Sequence, residues 1–215
     1  EHNADHASTL AWRAVAQLNR GDADTASALA ARATELEPLS PMTHLLRGWV
    51  LLLARRPADA KAPLSKAREL DGDFTLAHAL LGQQAEAMHD AAGALVHYDA
   101  GLQRSPASAL LLAHRVRALA LLGRTAEARA AVRELTDRGQ RGYVRAYLFA
   151  VAHSGFAESD SAAVLAALER AVGERDLGIA TLRHSAEFDP WRGDARFQQI
   201  ERSAGPKLWS GRPRR

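Results

Sequence analysis

Cysteine is absent from this 215-residue sequence, which excludes disulfides, thiolate nucleophiles and cysteine-ligated zinc. Aromatic residues make up only 6% of the chain, and Val, Ile and Thr are sparse beside Ala and Leu. The scarce types are those from which β-sheets are mainly built, whereas Ala and Leu are strong helix formers. The composition therefore predicts an all-α protein.

Lysine is also scarce and occurs only at Lys61, Lys66 and Lys207. The formal net charge is +3, and acidic residues are interspersed with the arginines along most of the chain. Because no long cationic face results, binding to a nucleic-acid backbone is not expected. The apolar share of 47% and the charged share of 25% are typical of a folded domain and not of a disordered chain.

Long hydrophobic runs are missing as well. The most apolar stretch, residues 48–54, is followed by Arg55 and Arg56 and is too short to cross a bilayer, so it predicts a buried helix. The chain begins with Glu1, from which we expect a processed or excised piece of a longer protein. The absence of cysteine is compatible with either the cytoplasm or the periplasm, and the compartment stays open.

A 34-residue period organises the residues that are present. One column of this period is all alanine: Ala26, Ala60, Ala94 and Ala128. A second column is mostly small: Ala14, Gly48, Gly82 and Val116. A third is also mostly small: Ala33, Ala67, Gly101 and Leu135. A fourth column is bulkier: Ala30, Leu64, Tyr98 and Val132. Small residues facing larger ones are what interdigitating helices need, so these columns predict close packing of two helices in each repeat.

Turn-forming residues at regular places in each repeat predict a helix, a short turn and a second helix. The turns are expected at residues 21–22, 56–57, 89–90 and 123–125, and the repeat ends at 37–38, 71–72 and 105–106. Pro57 fits the first turn of a helix, whereas Pro63 falls further inside and is expected to kink it. Helices of about 12 to 14 residues are predicted.

These columns, with Pro38 and Pro106 at repeat ends, resemble the tetratricopeptide repeat family. The resemblance implies a right-handed α-solenoid of about five antiparallel helix pairs. The aromatic residue that the family carries near the start of the first helix is replaced here by Leu10, His44, His78 and Leu112. We divide the chain into a lead-in (1–6), four repeats (7–40, 41–74, 75–108 and 109–142), a fifth helix pair (143–173), capping helices (174–204) and a basic tail (205–215).

The segment 168–200 contains Glu174-Arg175-Asp176, Phe188-Asp189-Pro190, Arg192, Asp194 and Arg196-Phe197. Through these residues it resembles the closing region of repeat domains found in bacterial regulators such as transcriptional activators, nucleotide cyclases and serine/threonine kinases. A solenoid must cover its exposed last face. Phe188, Trp191 and Phe197 are expected to pack there, with Asp194 capping the final helix. The alternative is capture of a phosphate or peptide by Arg192 and Arg196.

Histidines raise the question of a metal site. His2 and His6, with Asp5 beside them, have a spacing that places both imidazoles on one helical face, but a frayed chain end is the simpler interpretation. His44 and His78 are expected to be partly buried packing residues. His89-Asp90 falls in a predicted turn, where Asp90 is expected to cap the next helix.

Motifs of catalysis and cofactor binding are missing: the sequence has no Gly-x-Ser-x-Gly elbow, Gly-rich phosphate loop or dinucleotide fingerprint. We therefore predict no catalytic residue, metal or cofactor, and a chain that is not an enzyme.

In the tetratricopeptide family the first helix of each pair lines a concave groove. The resemblance projects these residues onto that groove: Trp12, Val15, Asn19, Met42, Leu45, Trp49, Leu52, Gln83, Glu86, His114 and Arg117. Met42, Leu45, Trp49 and Leu52 form one helical stripe, because they are spaced three, four and three residues apart. The same stripe is also what an ordinary core helix shows, and both interpretations stay open.

The expected function is a non-catalytic protein- or peptide-binding scaffold, the interaction or sensor region of a larger bacterial regulatory or envelope-assembly protein. The expected partner is an amphipathic helix or an extended apolar segment in the groove. The alternative is the substrate-recognition region of an enzyme whose catalytic domain is not in this chain.

Overall fold

The computed structural model describes residues 6–156 and 160–204, except for the side chains of Ser8 and Ala11. Every regular element within these ranges is a helix, which confirms the all-α prediction. The α-helices are α1 (Ala7–Asn19), α2 (Ala23–Leu36), α3 (Pro41–Leu53), α4 (Pro57–Leu70), α5 (Thr75–Ala87), α6 (Ala91–Arg104), α7 (Ala109–Leu121), α8 (Thr125–Arg141), α9 (Ala146–Ser154), α10 (Ser161–Gly173) and α11 (Ala195–Ser203). Two 3₁₀ helices, Leu177–His184 and Ala186–Trp191, lie between α10 and α11. The sequence-based predictions for His2, Asp5 and the basic tail fall outside the described residues.

The 34-residue period is visible in the positions where the helices begin. The first helices of four successive pairs begin at Ala7, Pro41, Thr75 and Ala109. The second helices begin at Ala23, Pro57, Ala91 and Thr125. In each pair the first helix packs against the second helix that follows it. The chain therefore folds as a series of helix pairs.

Local signals in the sequence set these boundaries. The Asp22 side chain accepts a hydrogen bond from the backbone N–H of Thr25 (3.0 Å) and caps α2. Asp90 caps α6 in the same way, by accepting from Gly93 N–H (2.8 Å), as predicted. Pro57 is the first residue of α4, where its missing N–H costs nothing. Pro63 lies inside α4, which nevertheless runs as one helix.

The chain divides into two compact units. Unit 1 comprises residues 1–107 and contains α1 to α6, and unit 2 comprises 108–215 and contains α7 to α11. Within unit 1 the first helices contact one another in the order α1, α3, α5, while α2 contacts α3 and α4 contacts α5. Within unit 2, α7 contacts α8 and α9, and α10 contacts α9 and α11.

Small residues let the two helices of a pair approach closely. Gly48 on α3 faces the side chain of Leu64 on α4, and Gly82 on α5 faces the ring of Tyr98 on α6. A methyl group at either glycine would overlap these fully buried partners. The alanine column is completely buried at Ala26, Ala60, Ala94 and Ala128. The predicted pairing of small with large columns is thus the packing found in unit 1.

Replacing Gly82 by Val is expected to lower the free energy of unfolding by about 1–3 kcal/mol, because the added methyl groups would overlap the Tyr98 ring in a packed core. Urea unfolding followed by circular dichroism measures this change. Gly72→Val is the matched control, since nothing lies near a Cβ at the exposed Gly72. Equal stability of the two variants would show that the α5–α6 contact is not tight.

The C-terminal end of unit 2 is closed by an aromatic cluster of Tyr147, Phe188, Trp191 and Phe197. Phe188 lies at its centre, with ring centroids 5.6 Å from Tyr147, 6.5 Å from Trp191 and 6.4 Å from Phe197. The Trp191 Nε1–H donates to Ser161 Oγ on α10 (3.0 Å). Asp194 caps α11 by accepting from the backbone N–H groups of Arg196 and Phe197. The predicted packing of Phe188, Trp191 and Phe197 and the predicted Asp194 cap are confirmed.

Candidate functional site

The predicted groove stripe on α3 is divided between core and surface. Leu45 is only 4% exposed and belongs to the core cluster that includes Leu64 of α4 and Leu81 of α5. Trp49 and Leu52 are partly buried and pack against the same cluster. Met42 is 46% exposed. The outer edge of α3 is therefore accessible to a partner, whereas Leu45 is a core residue.

The neighbouring first helix, α5, shows a similar division. Leu76 occupies the position of Met42 one repeat later, and it is 41% exposed. Gln83 and Glu86 are partly buried, while Ala79, in the column of Leu45, is buried. Because α3 and α5 contact each other, Met42 and Leu76 lie at matching positions on adjacent helices.

The helix α1 carries three of the predicted groove residues. Val15 is partly buried and packs against the cluster formed by Ala14, Leu18 and residues of α2 and α3. Asn19 is exposed. Trp12 is 64% exposed, although the residues at its position in the next two repeats, Leu46 and Leu80, are buried. Trp12 thus belongs to a different column from Met42 and Leu76.

The two remaining predicted residues lie on α7, in unit 2. His114 is buried, and this burial lowers its pKa to about 3, with the Arg117 and Arg145 guanidinium groups adding to the effect. The Arg117 Nε–H donates to Ser154 Oγ on α9 (3.0 Å). His114 is therefore a buried residue of unit 2, and Arg117 links α7 to α9 within that unit.

The histidines His44 and His78 hold the loops between pairs. Nε2–H of His44 donates to the Pro38 carbonyl oxygen (2.8 Å), and that of His78 reaches the equivalent Gly72 carbonyl (3.4 Å). Burial lowers the pKa of His78, and the neighbouring Arg104 also lowers it. Each imidazole bonds back across six residues to its own loop, so these are packing residues, as predicted.

An ion-pair cluster in unit 2 escaped the sequence interpretation. The Asp160 carboxylate accepts two hydrogen bonds from Arg129 (2.6 and 2.7 Å) and lies 2.6 Å from His153 Nδ1. The Arg129 guanidinium also lies 3.8 Å from the centre of the Phe156 ring. These bonds lower the pKa of Asp160, with those from Arg129 having the largest effect, so its carboxylate stays charged.

This cluster joins α8 and α9 to the residue that precedes α10. Asp160 is buried, and the hydrogen bonds from Arg129 and the contact with His153 offset part of the cost of removing its charge from water. The sequence signal for it was weak: Arg129, His153 and Asp160 are separated by 24 and 7 residues, and nothing in the repeat pattern joins them. The cluster therefore ties α8 and α9 to the start of α10.

The two arginines considered for phosphate or peptide capture are engaged within the closing segment. Arg192 pairs with Asp189 (2.8 Å) and Glu201 (3.1 Å) and donates to the Ser185 carbonyl oxygen. Arg196 forms two bonds of 2.6 Å to Glu169 on α10. Both arginines therefore stabilise the cap through contacts within unit 2.

Over residues 6–156 and 160–204, no group of three His, Cys, Asp or Glu side chains is placed to hold a metal ion. In the same part of the chain, no helix has the length and apolar character needed to cross a membrane. Neither family models nor curated proteins include a match to this chain.

Proposed function

We propose that this chain is a non-catalytic scaffold of the tetratricopeptide type, with its pairs arranged as a right-handed solenoid, and that it binds a protein or peptide along the first helices of unit 1. The regular 34-residue spacing of helix starts supports this assignment. So does the contact of small with large residues at Gly48 and Gly82. In such repeats the helix pair is the structural element and the aligned first helices present the binding surface.

The observation that carries the proposal is the matching exposure of Met42 and Leu76. These large apolar side chains are 34 residues apart, are 46% and 41% exposed, and lie on helices that contact each other. Trp49 and Leu52 lie further along α3, partly exposed beside the core. Methionine and tryptophan are enriched at protein interfaces, and a repeated apolar position on adjacent helices forms an extended apolar strip.

The partner that fits this strip is an amphipathic helix or an extended apolar segment. Its apolar residues would cover Met42, Leu76 and the exposed edge of Trp49. Gln83 and Glu86 follow Leu76 along the same face of α5, by seven and ten residues, and give the strip a polar end. A partner with a donor group near that end is therefore expected to bind better than a wholly apolar one.

The double variant Met42→Glu/Leu76→Glu tests the assignment. Panning a random peptide library on the natural chain selects ligands, and fluorescence anisotropy measures their affinities. We expect the double variant to weaken binding by at least about tenfold, because two carboxylates must be desolvated at the interface. Circular dichroism checks that the fold is retained.

The matched control is Ala62→Glu/Val96→Glu. These two residues are also 34 apart and exposed, but they lie on the second helices α4 and α6, so this variant adds the same charge to the other face of the pairs. It should bind the selected peptides normally. Selected peptides that bind both double variants equally well, or a library that yields no ligand, would count against the proposal.

A further inference from the structure

One face of α1 exposes a large aromatic side chain, Trp12. Thr9, Trp12 and Ala16 lie on one side of this helix, three and four residues apart, and all three are exposed, Trp12 at 64%. We call these three residues the α1 end face. Trp12 is thus a large apolar side chain that no described residue covers.

The same three positions are covered in the next two pairs. On α3 they hold Thr43, Leu46 and Val50, and all are buried, at 9% exposure or less. On α5 they hold Ala77, Leu80 and Gln84, and these too are at most 9% exposed. The position itself is thus one that a neighbouring helix pair normally buries, and Trp12 is exposed because no described residue occupies that place next to α1.

The covered positions show how the cover is made. Val50 of α3 packs in one cluster with Ala26 and Ala30 of α2. Arg47 of α3 donates to the Thr34 hydroxyl in the last turn of α2 (3.3 Å). On α3, therefore, these positions are buried by helix α2, which packs along them and accepts a hydrogen bond from Arg47 near its C-terminal end.

The charges of α1 indicate which helix fits. Arg13 is the counterpart of Arg47, Arg20 follows it after seven residues, and both are exposed. The α1 sequence contains no acidic residue. Two copies of this chain packed through the same face would bring these arginines together, which is unfavourable. A helix with carboxylates beside its apolar stripe would instead complement them.

We propose that the α1 end face is a second docking surface, which takes an amphipathic helix of a partner protein with an acidic residue opposite Arg13. That helix lies along α1 as α2 lies along α3, with its apolar stripe on Trp12. The surface differs from the strip of Met42 and Leu76, and it does not depend on the function proposed above.

The probe is a synthetic peptide with the sequence of residues 23–36, held helical by a side-chain lactam bridge and checked by circular dichroism. Two versions of this peptide are made, one with Glu and one with Lys in place of Thr34. We expect the Glu peptide to bind the natural chain, and to bind it about two- to fivefold more tightly than the Lys peptide, the range of a surface ion pair. The variant Trp12→Glu should bind the Glu peptide about thirtyfold more weakly, which is the loss expected when a tryptophan at the centre of an interface is removed.

Two controls separate this surface from the rest of the chain. Val96→Glu, at an exposed apolar residue of α6, and Met42→Glu/Leu76→Glu should both bind the Glu peptide normally. Absence of binding to the natural chain, or equal binding to Trp12→Glu, would overturn the proposal. A natural chain that sediments as a dimer and becomes monomeric in Trp12→Glu would also overturn it, because the occupant would then be a second copy.

Discussion

Replacing Phe188 by Ala is expected to lower the free energy of unfolding of unit 2 by about 3–5 kcal/mol. Phe188 is completely buried and contacts the rings of Tyr147, Trp191 and Phe197. Its removal leaves a cavity that three aromatic rings on different segments cannot all move to fill. Edge-on and tilted ring contacts are lost in addition to the buried area.

Urea unfolding followed by circular dichroism and by tryptophan fluorescence measures this loss. Leu177→Ala is the control in the same segment, since Leu177 is 72% exposed and its truncation is expected to change stability by no more than about 0.5 kcal/mol. A small effect of Phe188→Ala would mean that the closing segment is held by its ion pairs and hydrogen bonds instead of by the aromatic cluster.

Those polar contacts are concentrated around Tyr147 and Asp176. The buried Asp176 carboxylate accepts hydrogen bonds from the backbone N–H groups of Tyr147 (3.0 Å) and Gly178 (2.9 Å). The Tyr147 hydroxyl group lies 2.9 Å from Ser185 Oγ and donates to Glu187 (3.1 Å). Burial raises the pKa of Tyr147, and the nearby Glu187 raises it further, so the hydroxyl group remains a donor. Tyr147 thereby fixes the 3₁₀ helices to α9 within unit 2.

The helix boundaries were predictable because their causes are local. Asp22, Pro57 and Asp90 each act on the first turn of the helix beside them. Packing within a pair was predictable for another reason: the contact of Gly48 with Leu64 recurs at Gly82 and Tyr98, so the repeat displays it twice.

The candidate site was less predictable, because periodicity identifies a helix face but not the elements that cover it. Leu45 and Met42 lie on one stripe of α3, yet Leu45 packs against residues of α4 and α5 while Met42 is 46% exposed. Trp12 shows the converse case. Its position is buried in the next two pairs, but no described residue covers it on α1. The pairing of His153 with Asp160 joins the last turn of α9 to the residue before α10, and the repeat pattern does not specify it.

Acidification is expected to destabilise unit 2 through His114. The pKa of this buried imidazole is lowered from 6.5 to about 3, first by burial and then by Arg117 and Arg145. Above pH 6.5 the imidazole is neutral in both the folded and the unfolded chain, so it has no effect. Between pH 6.5 and about 3 the unfolded chain binds a proton that the folded chain excludes, and stability falls as the pH falls. At pH 5 the loss amounts to about 2 kcal/mol.

His114→Leu is the variant that measures this contribution, because Leu46 and Leu80 fill the same buried position in two earlier repeats. Urea unfolding at pH 7.5 and pH 5 should show that the variant loses about 2 kcal/mol less than the natural chain on acidification. His78 and His97 of unit 1 also have pKa values lowered by burial. They are present in both proteins, so their contribution cancels in the comparison.

The reciprocal variant, Leu46→His in the His114→Leu chain, distinguishes burial from the particular surroundings of α7. If burial dominates, as it does for His114, an imidazole at the buried Leu46 position should make unit 1 more sensitive to acid below pH 6.5 than it is in the His114→Leu chain. If stability in His114→Leu falls with pH as steeply as in the natural chain, His114 is protonated equally in the folded and unfolded states, and the acid response of unit 2 arises from other groups.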